Sequence, residues 1–346
     1  MNNVKNYDEK ILTQVNYPEM TKDERDLRTI DITDRSIKFI MSAEVDSNDA
    51  SNWVANNREA IMRNVATHGW TLIRGLKVSD ATAFHRCISQ LNIPLVEEYG
   101  DLPMSPSEDG TSGVFNVTKY PSKNAILFHN EGSHTHQAPR FIFFQCTVAA
   151  QQDGETPLAN SAEVYRALPD KIRTEFEQRG LLYRRNFMEG FDVPWSKYFG
   201  TQDKIAIDSL CSRHEIKTVW LPNGGLVTEI FRPAVISHQD NGMRVFFNQI
   251  LLHHPSCLDP EVRKALRNML NGASFPRDVL FGDGSPIPDE WVAEILRAHI
   301  KVAHCFRWQS GDVVVVDNTA VSHARRPYSG SRQHHVILAQ GNMGAI

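Results

Sequence analysis

Residues 308–328 read WQSGDVVVVDNTAVSHARRPY, and this stretch decides the fold class. A turn at Gly311 and Asp312 leads into four consecutive valines, a run that is typical of a short strand buried on both faces. The chain then reaches His323 at the predicted end of a strand, and arginines follow it. The stretch therefore predicts a β core that carries a polar site at the end of one of its strands.

Short apolar runs of this kind recur through the middle and the C-terminal part of the chain, whereas helical spacing lies mostly near the edges. Strands are predicted over residues 70–73, 125–129, 140–149, 217–220, 226–231, 243–250, 313–316 and 332–340. Helices are predicted over residues 52–67, 80–91, 161–179 and 290–299. This pattern indicates a mainly-β fold with flanking helices around a closed or double-sheet core.

The 346 residues are enough for one large domain or two small ones. We find no internal repeat, low-complexity tract or linker, so we predict one domain over residues 51–346 after a polar N-terminal extension over residues 1–50. Two loops rich in glycine and proline, near residues 100–124 and 271–289, are lid candidates, because loops this long in a compact domain are usually functional or disordered.

Composition excludes several classes of protein. The chain has 37 basic and 41 acidic residues, and this balance argues against nucleic-acid and anionic-membrane partners. The five cysteines are scattered and form no Cys-x-x-Cys pair, so we expect neither disulfides nor a thiolate zinc site. The sequence shows no signal-peptide pattern and no membrane-length apolar run. We therefore expect a cytoplasmic protein, and the sequence indicates no oligomeric state.

The densest polar cluster is FHNEGSHTH at residues 128–136. Because alternate residues of a strand point to the same face, His129 and Glu131 would project together. They make two-thirds of the set of two histidines and one carboxylate that holds non-haem Fe(II). The third ligand would have to come from elsewhere in the chain, and for the pair alone a structural or surface role is the favoured interpretation.

Other metal sites need residues that the sequence lacks. A zinc deaminase needs Pro-Cys-x-x-Cys, a zincin needs His-Glu-x-x-His, and neither motif occurs. Glu131 and His134 form a Glu-x-x-His pair, but a di-iron site needs a second such pair on another helix. We therefore expect His134 and His136 to line a pocket or to be solvated rather than to bind metal. In the C-terminal part, Arg332 opens the last predicted strand, and an arginine near a metal suits bidentate capture of a carboxylate.

Over about residues 65–342 the chain resembles the TauD/TfdA-like Fe(II)/2-oxoglutarate dioxygenases, most closely the SyrP-like branch from syringomycin biosynthesis. The resemblance is carried, in order, by HGWTLIRG at 68–75, KYP at 119–121, FHNE at 128–131, DGETPLA at 153–159, FFNQ at 246–249, FGDGS at 281–285 and the stretch from 311 to 325. It implies a double-stranded β-helix core, also called a jelly-roll or cupin-like core. It also implies Fe(II), the cosubstrate 2-oxoglutarate and O₂ as cofactors.

The resemblance assigns roles residue by residue. It implies His129, Glu131 and His323 as iron ligands, with Glu in place of the more usual Asp, as in clavaminate-synthase-like members. Arg332 and Thr156 match the residues that hold the distal carboxylate of 2-oxoglutarate. Asp153 stands where the family usually has glycine, a small departure in a turn. Arg325 either faces the cosubstrate or braces its strand.

The resemblance also bears on the reaction. Related halogenases have a small residue in place of the carboxylate ligand, so Glu131 favours hydroxylation, while desaturation and epoxidation stay open. The expected substrate is a small amino-acid-like molecule with an aliphatic C–H bond, free or tethered to a carrier protein, in natural-product biosynthesis. A catabolic sulfonate or phosphonate oxygenase is the alternative. A non-catalytic metal-binding jelly roll would predict a lost ligand or a lost arginine, and neither loss is seen.

Four residues are candidates for substrate contacts, and structural hydrogen bonding or packing is the competing interpretation for them. They are Asn248, Gln249, His134 and Arg232.

Overall fold

The computed structural model describes residues 18–33, 39–46, 49–97, 105–106, 110–117, 120–188, 190, 192–272 and 274–340. The described residues form ten α-helices and nineteen short strands. In this part of the chain no helix has the length and apolar character needed to cross a membrane.

The helices, in chain order, are α1 (Lys22–Arg25), α2 (Ala50–His68), α3 (Ala81–Ser89), α4 (Ser161–Ala167), α5 (Asp170–Arg179), α6 (Trp195–Tyr198), α7 (Lys204–Arg213), α8 (Ile250–His253), α9 (Pro260–Leu270) and α10 (Asp289–Val302). The first ten strands are β1 (Ile40–Ser42), β2 (Trp70–Arg74), β3 (Ser105–Pro106), β4 (Val114–Asn116), β5 (Ile126–His129), β6 (Phe141–Val148), β7 (Gln152–Asp153), β8 (Leu158–Asn160), β9 (Leu181–Phe187) and β10 (Lys217–Trp220). The remaining strands are β11 (Leu226–Arg232), β12 (Val235–Ser237), β13 (Arg244–Phe246), β14 (Arg277–Phe281), β15 (Ala303–His304), β16 (Val313–Asp317), β17 (Val321–Arg325), β18 (Tyr328–Ser329) and β19 (Gln333–Ala339).

Two sheets enclose the core that positions the site. The larger sheet has the strand order β1-β2-β16-β6-β19-β4-β3, and the smaller one has the order β15-β8-β17-β5. Apolar residues of both sheets pack into one cluster, which includes Val314 and Val316 of β16, Leu158 of β8 and Val321 of β17. This arrangement is the predicted mainly-β, double-stranded β-helix fold.

The valine strand β16 lies inside the large sheet, between β2 and β6, and both of its faces are covered. Val314 and Val316 face the small sheet, whereas Val313 and Val315 pack in a second cluster with residues of α2 and α3. All five residues of β16 are buried. A continuous apolar run, rather than an alternating one, is what such a position requires.

A third layer borders the open end of this core. Strands β10, β11, β9 and β14 form a separate antiparallel sheet, and α4, α5, α8 and α10 pack against it in one apolar cluster. In this sheet Ile230 of β11 lies opposite Tyr183 of β9. Residues of this sheet line two cavities near the candidate site.

The structure differs from the predicted loop over residues 271–289. Its middle forms β14, which pairs with β9 along its whole length. The apolar run of this strand, Val279–Phe281, is short and lies between glycines and prolines, and its partner strand is distant in the chain. The local sequence therefore does not indicate a strand. The other predicted lid, near 100–124, lies partly outside the described residues; within it β4 pairs with β19 in the large sheet.

The N-terminal extension is also more integrated than its polar composition suggests. Strand β1 pairs in parallel with β2 at the edge of the large sheet. Met20, Leu27 and Ile30 are buried in the cluster that contains α10. A few apolar residues therefore anchor described parts of residues 1–50 to the domain, through contacts that composition cannot reveal.

Candidate active site

Two neighbouring strands of the small sheet bring three ligand-type side chains together. Strands β5 and β17 pair antiparallel with His129 directly opposite His323. Glu131 follows two residues after His129, just beyond the end of β5. One ligand atom from each of the three side chains lies within 4.8 Å of the other two. This spacing fits a single metal ion held by two imidazoles and a carboxylate.

The surroundings of the two imidazoles suit coordination of a metal ion. Nδ1 of His129 lies 2.8 Å from the carbonyl oxygen of Leu127 and donates to it, which leaves the Nε2 lone pair directed away. Nε2 lies 3.7 Å from Oε2 of Glu131. Burial and the neighbouring His129 hold the pKa of His323 well below its usual range, so this imidazole is neutral. A neutral imidazole is the form that binds a metal.

Glu131 lies beyond the hydrogen-bonded strand, and two buried asparagines hold its backbone. Oδ1 of Asn318 accepts the N–H of Glu131 at 2.8 Å, and Nδ2 of Asn318 donates to the carbonyl oxygen of Glu131 at 2.9 Å. Asn130 in turn donates to the carbonyl oxygen of Asn318 at 2.7 Å. Sequence reasoning missed both asparagines, although Asn318 lies directly after the valine strand. They orient the carboxylate without touching a metal position.

Arg332 and Thr156 lie close to each other, and they line one cavity together with the three ligand-type side chains. Nε of Arg332 donates to the carbonyl oxygen of Gly154 at 2.9 Å, and Nη2 lies 3.4 Å from Oγ1 of Thr156. Oγ1 also accepts from Nε1 of Trp308 at 3.1 Å, which leaves the threonine O–H to donate. Burial and the nearby Arg325 lower the pKa of Arg332 to about 10. Among the described residues Arg332 has no ion-pair partner, so the pair offers donors to an anion.

The backbone of Gly154 lies close to the side chain of Arg332, and this contact helps to position Arg332 beside Thr156. Gly154 has a φ of +78°, and a Cβ on it would lie 3.3 Å from Cδ of Arg332 and 3.0 Å from Cβ of Tyr328. Only glycine combines this backbone conformation with that contact. The Asp153 that precedes it, which departs from the usual family pattern, sits in the left-handed region at φ 56° without disturbing the turn.

Arg325 makes bracing contacts, although to a loop rather than within its strand. Its guanidinium donates to the carbonyl oxygens of Tyr120, Pro121 and Asn124 at distances between 2.6 and 3.1 Å. It therefore fixes the described end of the loop that leads into β5.

Three neighbouring cavities lie at or near the three ligand-type side chains. The small cavity, of about 80 Å³, is lined by His129, Glu131, His323, Thr156, Arg325 and Arg332 with an apolar remainder. The large cavity, of about 400 Å³, shares Ile126, His129 and Glu131 with the small cavity and is lined also by His134, Gln249 and His253. The side cavity, of about 250 Å³, shares His134, His253 and Arg277 with the large cavity and extends to His136 and Tyr183.

The four candidate substrate contacts have different surroundings. His134 lines both the large and the side cavity. Gln249 lines the large cavity, donates to the carbonyl oxygen of Asn130 at 3.1 Å and contacts Nε2 of His253 through Oε1. Asn248 is buried and bonds to Asn130 and to the carbonyl oxygen of Ala234.

The sequence predicts a strand over residues 243–250, but residues 248 and 249 do not lie on a strand. Strand β13 ends at Phe246, and the backbone then turns into α8. The hydrogen bonds of Asn130 to this turn end the strand early. The fourth candidate, Arg232, is buried behind the wall of the side cavity, and Nη1 donates to Nδ1 of His136 at 3.0 Å.

A second group of metal-type side chains, His238, Asp240 and Asp317, has a different explanation. Arg140 donates to Asp317 through Nε and Nη2, at 3.0 and 2.8 Å, and also to Asp240. Nε2 of His238 lies 3.1 Å from the same Asp317 oxygen. This buried cation makes the group an ion-pair network, and it supports the chain directly before Asn318.

A jelly-roll core that brings two histidines and a carboxylate beside a buried arginine defines the class of non-haem iron oxygenases. The model of the taurine catabolism dioxygenase TauD, TfdA family matches residues 32–338, and the chain belongs to this family. It is a non-haem iron oxygenase that uses 2-oxoglutarate, and its cofactors are Fe(II), 2-oxoglutarate and O₂.

Two relatives of known name match most of the chain. The dapdiamide synthesis protein DdaC of Enterobacter agglomerans is 35% identical over 271 residues, which is 78% of this chain and 82% of the relative. A clavaminate synthase-like protein of Arabidopsis thaliana is 30% identical over 278 residues, 77% of this chain and 79% of the relative. The predicted family is confirmed, while the closer assignment to the SyrP-like branch stays a prediction.

Solved structures with a similar course of the chain include a taurine dioxygenase from Burkholderia xenovorans, with 17% identity, coverage of 91% of this chain and 90% of that one, and a TM-score of 0.46. The PvcB protein from Pseudomonas aeruginosa has 14% identity, coverage of 82% and 79%, and a TM-score of 0.47.

Proposed function

We propose that this protein hydroxylates an aliphatic C–H bond of a small amino-acid-like substrate in natural-product biosynthesis. The observation that carries the proposal is the convergence of His129, Glu131 and His323 between two cavities of different character. One cavity ends in an unpaired arginine, and the other is larger and mixed in polarity. Such an arrangement suits a charged cosubstrate on one side and a small organic substrate on the other.

The three side chains fit Fe(II). His323 is neutral, a hydrogen bond from Nδ1 to Leu127 orients His129 with Nε2 free to coordinate, and Glu131 offers a carboxylate oxygen. Two imidazoles and a carboxylate on one face leave the remaining coordination positions to the cosubstrate and O₂. Bound iron, with these two, supplies the oxidising chemistry. The protein holds the reacting groups and excludes water.

We assign the distal carboxylate of 2-oxoglutarate to Arg332 and Thr156. The guanidinium has unused donors and no ion-pair partner among the described residues, and the threonine has its O–H to donate. A carboxylate here would compensate the buried positive charge, which is otherwise costly. Arg325 lines the same small cavity, but its Nη1 and Nη2 donate to the 120–124 loop, so we assign it to holding that loop beside the cosubstrate.

The large cavity is the proposed substrate site. Leu251, Leu252 and Phe275 supply apolar surface, whereas His134 and Gln249 supply polar groups. A volume of about 400 Å³ suits a small metabolite. Asn248 is not among the residues that line this cavity; it bonds to Asn130, Ala234 and the N–H of Ile250, so we assign it to holding the turn before α8 rather than to touching substrate.

Glu131 favours hydroxylation over halogenation, because it fills the coordination position that a halide would need. The name of the DdaC relative, a dapdiamide synthesis protein, supports a role in natural-product biosynthesis. The proposal covers a free substrate and one presented on a carrier protein, and assays with both forms distinguish the two. The five cysteines are free thiols, which supports a reducing compartment and a cytoplasmic location.

The test is an anaerobic titration of the purified protein with Fe(II) and 2-oxoglutarate, followed by visible absorption and calorimetry. We expect one iron per chain in the wild type and loss of iron binding in His129→Ala and Glu131→Ala. Arg332→Ala should bind iron normally but weaken 2-oxoglutarate by at least about tenfold, since a buried charge pair is lost. The half-buried His85 on α3 is remote from the site, so His85→Ala is the matched control.

Aerobic assays of succinate formation with free and carrier-bound amino acids then identify the substrate. Iron binding and succinate production that survive in both ligand variants would overturn the assignment. Turnover of sulfonates or phosphonates, without turnover of amino acids, would overturn the substrate class while leaving the iron site intact.

A further inference from the structure

The side cavity contains a positive charge that the proposed iron and cosubstrate sites do not use. Arg232 lies on β11, on the same face as Thr228 and Ile230, which line the cavity. Only 3% of Arg232 is exposed, and its Nε is buried without a hydrogen-bond partner. Within the described part of the chain, Arg232 forms no ion pair with any carboxylate, and burial lowers its pKa.

The other arginines around this cavity are compensated. Arg184 donates to Glu229 at 2.8 Å, and Arg185 donates to Asp192 at 2.8 Å. Arg277 lies 3.8 Å from the same Asp192. Asp192 serves two arginines, but the Arg277 side chain is 42% exposed, so solvent screens its charge. Among the described residues around this cavity, Arg232 is the buried arginine without a carboxylate partner, and a buried cation without a counter-ion is costly for the fold.

His136 lines the side cavity and is hydrogen-bonded to Arg232 behind it. Its Nδ1 accepts the hydrogen bond from Arg232, so the proton of the neutral ring is on Nε2. Burial and Arg232 lower the pKa of His136, which keeps the ring neutral. Nε2 is buried without a hydrogen-bond partner, and Oε2 of Glu215, at 3.7 Å, is on a side chain that is 83% exposed. The solvated Glu215 compensates little of the buried charge.

We infer that the side cavity binds a free carboxylate of the substrate, with His136 donating its Nε2–H and Arg232 supplying the balancing charge behind it. The inference rests on the proposed function and deepens it, because the side cavity joins the large cavity at His134, His253 and Arg277. The substrate would extend from the carbon oxidised beside Glu131 to a carboxylate near His136. A substrate tethered to a carrier through that carboxylate would lose the charge, so this end is free.

The test uses protein loaded anaerobically with Fe(II) and 2-oxoglutarate. The probes are N-acetyl-L-amino acids and the matching carboxamides, which differ in charge at one end only. Binding is measured by calorimetry and by the change in the visible absorption of the loaded protein. We expect at least one acid to bind about tenfold or more tightly than its amide, as for a charge-assisted hydrogen bond.

Arg232→Gln should remove this preference for the acid, and Arg232→Lys should retain part of it. Arg184→Gln is the matched control, because Arg184 lines the same cavity but is already paired. Equal binding of acids and amides, no binding of any acid, or an unchanged preference in Arg232→Gln would overturn the inference. The spectral response to 2-oxoglutarate separates the two failures. If the wild type lacks this response, the proposed function fails. If the wild type and all variants keep the response but one of these contrary binding results is found, only the carboxylate site fails.

Discussion

Glu131 is held mainly through its backbone, and this places the carboxylate under the control of residues that never meet the metal. Asn318 accepts from the N–H and donates to the carbonyl of the same residue, a two-point contact that fixes both peptide planes around Glu131. Asn318 itself is fully buried and is anchored to Pro139. Partners that orient ligands are as important to a metal site as the ligands, because they limit the ligand positions available.

We therefore expect Asn318→Ala to weaken Fe(II) binding by about 10- to 100-fold, the range found for such orienting partners. Anaerobic titration of iron measures the change, and circular dichroism measures whether the fold persists. Asn57→Ala is the control, since the Asn57 side chain bonds only within α2, to the carbonyl oxygen of Trp53. An Asn318→Ala protein that folds and binds iron as the wild type does would contradict the positioning role.

At the scale of elements, the predicted strands are the ones whose apolar run is continuous or alternates cleanly. The valines of β16 and the run Phe141–Val148 of β6 are of this kind. Strand β9 is not predicted, because Arg184 and Arg185 interrupt its apolar pattern. In the structure these two arginines form ion pairs with Glu229 and Asp192, which lie outside β9. Local sequence cannot show where such ion-pair partners will lie.

The predicted helix over residues 161–179 is two helices. Helix α4 ends before Leu168, whose ψ of 138° is extended, and α5 begins after Pro169. A proline disfavours the helical conformation of the residue before it, and this signal was present in the sequence. The candidate site shows the converse: the predicted strand end at His129 is confirmed, but strand alternation is not what brings Glu131 beside His129, because tertiary contacts with Asn318 position Glu131.

Helix α10 carries a histidine that should make stability depend on pH. His299 is buried, stacks on Phe128 and donates through Nδ1 to the carbonyl oxygen of Ile295 at 2.7 Å. Burial lowers its pKa to about 4, from an ordinary value of 6.5. The unfolded chain therefore binds one more proton between these pH values, and the free energy of unfolding falls as the pH drops through this window.

This histidine should contribute a loss of roughly 3 kcal/mol in the free energy of unfolding between pH 6.5 and 4. Urea unfolding at a series of pH values measures it. In His299→Gln the dependence should be shallower by one proton, because glutamine does not titrate. The exposed Lys301→Gln on the same helix should leave the slope unchanged. A slope in His299→Gln equal to that of the wild type would show that His299 does not contribute.

At the scale of the whole molecule, the candidate site joins parts of the chain that are far apart in sequence. His129 and His323 face each other across β5 and β17, and Arg332 precedes β19, the strand beside the centre of the large sheet. Iron and 2-oxoglutarate would thus connect the small sheet to the large one. Ligands that bind only the folded chain stabilise it in proportion to the logarithm of their concentration over Kd.

We expect Mn(II) and 2-oxoglutarate together, each at about 100 times its Kd, to raise the free energy of unfolding by at least roughly 2.7 kcal/mol. Thermal and urea unfolding under anaerobic conditions measure the increment, with Mn(II) as a metal that supports binding without turnover. Glu131→Ala should lose the increment from both ligands, because the cosubstrate binds next to the metal. Arg332→Ala should keep the increment from the metal and lose most of that from 2-oxoglutarate. If Glu131→Ala were stabilised as much as the wild type, the metal would bind elsewhere, and the two sheets would not be joined through this site.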